Sequence, residues 1–229
     1  MKSAWTFSFF LGVFAWALAP AALAQEVSSN FTRCENSFGK EPVGITVETC
    51  RLELTGPVTQ EKRVKILETL GKAYLAQNEA DLAISTWNEA SQYSPLSREN
   101  QSAAESWTRL QVLIGQTYAQ SNRAERAEEH LLKTLTTVEQ SIGRYSLPAG
   151  MVQDALGTYY ALQSKKAQSE AAFKRSRIVY EIRLGKTNAR TLETRMNHAV
   201  GLLDMEKERD ALESFQVLAE IINSSPEYK

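Results

Sequence analysis

The residues able to do chemistry are few, and their spacing narrows what they could do. Cys34 and Cys50 are the only cysteines, and no histidine shares their segment. A metal site there would lack the imidazole ligands that usually complete such a set, which leaves a disulfide as the chemistry on offer. The two histidines, His130 and His198, have no partner residue at a telling spacing, so neither is placed to act as a general base. His198 reads as a packing residue and His130 as a surface one. No H-E-x-x-H, G-x-S-x-G or glycine-rich phosphate loop occurs. The acidic and basic residues come in mixed runs, such as Glu125, Arg126, Glu128 and Glu129, which is the pattern of a solvated helix face. The expectation is a chain that is not an enzyme, with no catalytic residue, cofactor or metal.

Charge and address narrow the partners. Lys and Arg number 26 against 27 Asp and Glu, so no basic excess draws the chain to nucleic acid or to an anionic membrane. Lys2, an apolar run over 7–18 and the small-x-small triplet Ala22-Leu23-Ala24 form a leader, read as a signal peptide over 1–24 and cut after Ala24. The run is short for a membrane span, and no second apolar stretch reaches that length, so no membrane insertion is expected after cleavage. The mature chain is placed in the periplasm or outside a bacterial cell. In that oxidising setting Cys34 and Cys50, with no other cysteine to choose, are expected to pair. Closing their loop restrains the unfolded chain, an effect of about 3 kcal/mol.

The elements that must position these residues are read from periodicity. In the stretch 64–95 large apolar residues recur three and four apart, so each half is an amphipathic helix. Counting Val64 as position 1, Leu67 falls at 4, Leu70 at 7, Gly71 at 8, Tyr74 at 11, Ala83 at 20, Trp87 at 24, Ala90 at 27 and Pro95 at 32. Gly71 and Ala83 are small where two helices approach, and Pro95 cannot continue the second helix. This stretch resembles a tetratricopeptide repeat at all eight signature positions, including the L-G-x-x-Y core.

The same frame fits from Thr108 (Ile114, Gly115, Tyr118, Ala127, Leu131), from Gly150 (Leu156, Gly157, Tyr160, Phe173) and from Leu192 (Ala199, Leu202, Ala211, Phe215). Starts 44, 42 and 42 residues apart exceed the usual 34 and are similar to the longer repeats of kinesin light chains and many bacterial repeat proteins. Stretches such as 128–142 and 171–184 favour longer second helices. Gln111, Gln153 and Arg195 stand at position 4 where an apolar residue is usual; Ser169 replaces Ala at 20, and Thr134, Ser176 and Leu218 replace it at 27. The resemblance implies an all-α, right-handed α-solenoid over 63–229.

Residues 25–62 admit two readings. Val43, Ile45 and Val47 alternate like a strand. Counting back 40 residues from Val64 instead puts Cys34 at position 11 and Cys50 at 27, which face each other across such a hairpin. The favoured reading is a disulfide-stapled half-repeat serving as an N-terminal cap with a solvated outer face. At the other end Val217, Leu218, Ile221 and Ile222 exceed what one hairpin face needs. Either a second copy or partner covers them, which would make a homodimer through the last helix, or they fold back on their own hairpin.

Function in this family resides in the concave surface lined by positions 2, 5, 9, 12 and 13 of each first helix. The resemblance thus implies a groove of Lys65, Glu68 and Lys72, then Arg109, Val112 and Gln116. It continues with Met151, Asp154, Thr158 and Leu162, and ends with Met196, Val200 and Leu203. It begins basic and polar and turns apolar. Family members that grip a chain-terminal carboxylate carry Lys at 5 and Asn at 9 of the first repeat; Glu68 and Lys72 stand there, so that clamp is not implied. A protein or peptide with an acidic end and an apolar end is the expected occupant.

Overall fold

Apolar residues three and four apart dictate helices, and the computed structural model, which describes residues 33–225, holds helices joined by turns. The expected leader and its cut at Ala24 lie outside the described residues. Two short helices lead: α1 (Arg33–Ser37) and α2 (Val43–Leu54). Four hairpins follow: α3 (Gln60–Ala76) with α4 (Ala80–Gln92), and α5 (Gln101–Gln120) with α6 (Ala124–Ser141). Then come α7 (Leu147–Leu162) with α8 (Lys166–Leu184), and α9 (Ala189–Asp204) with α10 (Glu208–Ser224). Each helix packs on its successor, and α5 also touches α3 and α7. This serial stacking is an α-solenoid. No described helix is long and apolar enough to cross a membrane.

One turn is used four times. Asn78, Asn122, Ser164 and Glu206 adopt φ of 62°, 57°, 56° and 60°, each at the fifteenth place of its hairpin. The next N–H donates to the carbonyl five residues back at 2.9–3.0 Å: Glu79 to Tyr74, Arg123 to Tyr118, Lys165 to Tyr160 and Lys207 to Leu202. That bond satisfies a carbonyl left open where the first helix ends, and it aims the chain into the second.

Within each of the first three hairpins a glycine lies under a large side chain. A Cβ on Gly71 would collide with the indole of Trp87; on Gly115 it would stand 2.6 Å from Leu131 Cδ2, and on Gly157 2.6 Å from Phe173 Cδ1. Trp87 is fully buried, and its Nε1 donates to the carbonyl of Glu68 at 3.1 Å. In the fourth hairpin Ala199 and Phe215 take these places, with Ala199 buried and Phe215 half-buried.

The polar departures from the repeat pattern make bonds inside and between hairpins. Ser169 and Ser176 donate to the carbonyls of Gly157 and Gly150, both at 2.9 Å. Gln111 donates to Ser91 Oγ at 2.9 Å, and Arg195 pairs with Glu181 at 2.7 Å. His130 departs from its surface assignment. It is half-buried, with Nε2 3.0 Å from the carbonyl of Gln111 and its ring edge-on to Tyr118. Packing of α6 against α5 covers it, which a one-helix periodicity does not reveal. His198 is buried, 3.1 Å from Glu170 Oε1. The second helices α6, α8 and α10 run 18, 19 and 17 residues against 13 for α4, whose repeat alone has a proline at position 32.

Cys34 and Cys50 are joined, both fully buried, with Cα atoms 4.7 Å apart. The strand alternative for Val43, Ile45 and Val47 does not occur. These residues begin α2, whose buried set Thr46, Val47, Cys50 and Glu53 has helical spacing, while Ile45 faces out. Cys34 N–H donates to Glu53, which also pairs with Lys62, and Arg51 donates to Tyr74 Oη at 3.0 Å, so the stapled pair is fastened to α3.

Two predictions follow from this packing. Gly→Ala inside a helix normally stabilises by about 1 kcal/mol. Gly201→Ala, whose Cβ meets nothing nearer than 3.8 Å, is expected to do so, whereas Gly71→Ala is expected to destabilise by roughly 1–3 kcal/mol in urea titrations because Trp87 cannot yield. Cys34→Ser with Cys50→Ser is expected to lower unfolding stability by about 3 kcal/mol, read from the denaturant midpoint.

Candidate partner-binding surface on the first helices

The residues of the expected groove all lie on α3, α5, α7 and α9. Their chemistry changes along the stack. On α3, exposed Lys65 pairs with Glu61 one turn earlier at 3.1 Å. Glu68 is only 8% exposed and accepts from Lys72 Nζ at 2.8 Å and from Arg109 Nε of α5 at 2.9 Å. Burial pushes the Glu68 carboxyl up, but the Lys72 hydrogen bond and the charges of Arg109 and Lys72 together outweigh it, so the group stays below the usual carboxylate range. One carboxylate thus ties two cations into a single unit carrying one net positive charge.

On α5, Val112 is half-buried and joins Trp107, Tyr118 and Leu135 at the edge of the core, while Gln116 is exposed. On α7, Met151 and Asp154 are half-buried and Thr158 is exposed. Asp154 accepts from Thr194 Oγ1 of α9 at 3.1 Å. Burial, with some help from Glu193, pushes its carboxyl up to about 6 against the opposing pull of Thr194 and Arg190. At the far end Met196, Val200 and Leu203 of α9 are 49%, 46% and 45% exposed, and Leu162 of α7 is 73% exposed. Four large apolar side chains are thus presented to solvent from two neighbouring first helices.

Position 5 of one hairpin therefore bonds to position 2 or 3 of the next, as Glu68 to Arg109 and Asp154 to Thr194. Thr194 and Arg190 are absent from the groove set read from the repeat frame. They join it because consecutive hairpins are offset by a few residues, which no single repeat records. Ion pairs Arg123–Asp81 and Lys165–Glu128, each from an inter-helix turn to the second helix of the preceding hairpin, also bridge consecutive hairpins. Among the described residues no three His, Cys, Asp or Glu converge to hold a metal.

Solved structures share this architecture. The apo form of RapI matches with TM-score 0.67 at 14% identity, covering 92% of this chain; the chain spans 59% of RapI. BtubC from P. vanneervenii matches with TM-score 0.65 at 16% identity, over 89% of this chain and 82% of its own. A Podosopora anserina kinesin light chain with nearly identical TPR-like repeats matches with TM-score 0.56 at 14% identity, over 88% and 95%. The fold is a tetratricopeptide-like α-solenoid. Neither a family model nor a curated protein sequence matches the chain. The tetratricopeptide-like character read from Leu70, Gly71 and Tyr74 is therefore shared with these proteins as architecture.

Two carboxylates of the first helices, buried Glu68 and half-buried Asp154, have opposite pH behaviour. Asp154 has a folded-state pKa of about 6, above its ordinary 3.8, so its protonation contributes stability that is full below pH 3.8 and lost as pH rises through 6. Asp154→Asn is expected to raise unfolding stability at pH 7 by on the order of 2 kcal/mol and to flatten the decline, in urea titrations across that window. Glu68, held below its ordinary 4.5, stabilises above that value and loses its contribution as pH falls. Glu68→Gln is expected to destabilise at pH 7 and to match wild type in strong acid.

Proposed function

We propose that this chain is an exported, non-enzymatic scaffold that binds a segment of another protein along its first helices. The observation that carries the reading is the exposure of Leu162, Met196, Val200 and Leu203 together at one end of that surface. Large apolar side chains grouped in solvent are the usual mark of an interaction site. Met196 adds a flexible, polarisable contact that adapts to a partner's shape. At the other end the Lys72–Glu68–Arg109 unit keeps one net positive charge, which favours an acidic stretch and sets the direction in which a segment lies. Residues 25–62 act as the cap and 63–229 as the binding array in this reading. The leader and the buried Cys34–Cys50 disulfide support residence in the periplasm or outside the cell.

A second reading, self-association through α10, rests on Leu212, which is 59% exposed on the last helix. Leu218 is buried, and Val217, Ile221 and Ile222 are half-buried, so their own hairpin takes up much of the surplus apolar surface. Sedimentation of wild type and Leu212→Asp separates the two readings: the scaffold stays monomeric in both, whereas a dimer is lost on substitution.

A photocrosslinker at Val200 is expected to trap a protein segment from the exported fraction, and one at exposed Lys174 on α8 is not. Met196→Glu with Val200→Glu is expected to cut capture at least about tenfold, the loss of roughly 1.4 kcal/mol or more, with the thermal midpoint unchanged. Undiminished capture by that double variant would remove the reading.

A further inference from the structure

A cavity of about 350 Å³ lies between the second helices α6 and α8, where α7 and the 142–146 turn close it. Leu135, Ile178 and Val179 make its apolar wall, Tyr145 contributes a ring, and Gln153 lines it from α7. None of the groove residues of α7 contributes to it, so the cavity is separate from the proposed scaffold surface.

Three equivalent places in successive hairpins set this cavity apart. Gln111, Gln153 and Arg195 all hold the fourth position of a first helix. Gln111 donates to Ser91 of α4 and Arg195 pairs with Glu181 of α8, in each case the second helix of the preceding hairpin. The residue equivalent to Ser91 beside Gln153 is Leu135, which offers no acceptor. Gln153 is only 5% exposed, and its amide bonds to no other described residue. That amide is not sealed from solvent: it lines the cavity, where a ligand's polar group can take the place of water. At the rim Arg144 and Arg175 are exposed and form no ion pair among the described residues, and the single carboxylate there, Glu139, leaves one positive charge in excess.

We propose that this cavity binds a small organic monocarboxylate with a flat or branched apolar body. The body sits against Leu135, Ile178 and Val179, the carboxylate meets Arg144 and Arg175, and Gln153 completes the polar contact. The occupant is a free acid rather than a polypeptide end, because the volume matches the small end of ligand pockets.

Phenylacetate and 4-methylpentanoate are the probes, titrated into the mature, oxidised chain by saturation-transfer NMR and thermal shift. Both are expected to bind with dissociation constants on the order of 0.1–1 mM, with neutral phenylacetamide at least about tenfold weaker. Arg144→Ala with Arg175→Ala is expected to lower the acids' affinity at least about tenfold at an unchanged thermal midpoint. Gln153→Leu is expected to lower the acids' affinity at least about tenfold at an unchanged thermal midpoint, where a merely structural glutamine would lower the midpoint. Three results would each overturn the proposal: no binding of either acid at about 10 mM, full affinity in the double arginine variant, or a lowered midpoint for Gln153→Leu. A peptide ending in phenylalanine that binds where free phenylacetate does not would overturn it as well.

Discussion

The whole array depends on how closely two helix backbones approach within a hairpin. A glycine at the eighth place lets a tryptophan, leucine or phenylalanine from the second helix rest on the first helix's backbone, as at Gly71–Trp87, Gly115–Leu131 and Gly157–Phe173. The large side chain then fills the space that a methyl group would occupy, so close packing needs the small and the large partner together. Trp87 adds a hydrogen bond to the carbonyl of Glu68, which fixes the ring in the one orientation that fits. With the internal angle of each hairpin set this way, stacking is the remaining route by which the outward apolar faces leave water.

Stacking is where the chain departs from its own repeat pattern. Polar residues at positions that usually carry apolar ones bridge hairpins instead of weakening them: Gln111 reaches Ser91, and Arg195 reaches Glu181. On the first helices the bridges are Glu68–Arg109 and Asp154–Thr194. These bonds satisfy groups that would otherwise be buried alone, and they set the register between neighbours more narrowly than apolar contact can. They also divide the surface. At the start of the stack Glu68 neutralises one of the two cations it binds, while Met196, Val200 and Leu203 at the far end have no such engagement and stay open to solvent.

The ends of the array differ physically. At the N-terminal side a stapled pair of short helices covers α3, and the disulfide holds in place an element too short to be stable alone. At the C-terminal side Leu218 is buried against its own hairpin, but Leu212 projects outward. A solenoid needs a polar outer face at each end, yet both end elements expose a large apolar side chain, Leu52 at 60% on α2 and Leu212 at 59% on α10.

What the amino-acid order determined alone is what acts over short range. The hairpins, the small–large pairing at Gly71 and Trp87, the stop at Pro95 and the bonding of Cys34 to Cys50 could all be read from residue types and spacing, because each is decided within about one hairpin. Asn78 and Asn122 are natural left-handed residues, but Ser164 and Glu206 take the same conformation without advertising it, since the closing bond and not the side chain selects it. What only the tertiary structure decided lies between hairpins. Glu68 meets Arg109 across 41 residues and Asp154 meets Thr194 across 40, and His130 is covered by a neighbouring helix. Gln153 shares its position with Gln111, but it finds a leucine where Gln111 finds a serine, so their environments diverge. Such contacts depend on the offset and rotation between stacked units, and periodicity within one unit carries no record of either.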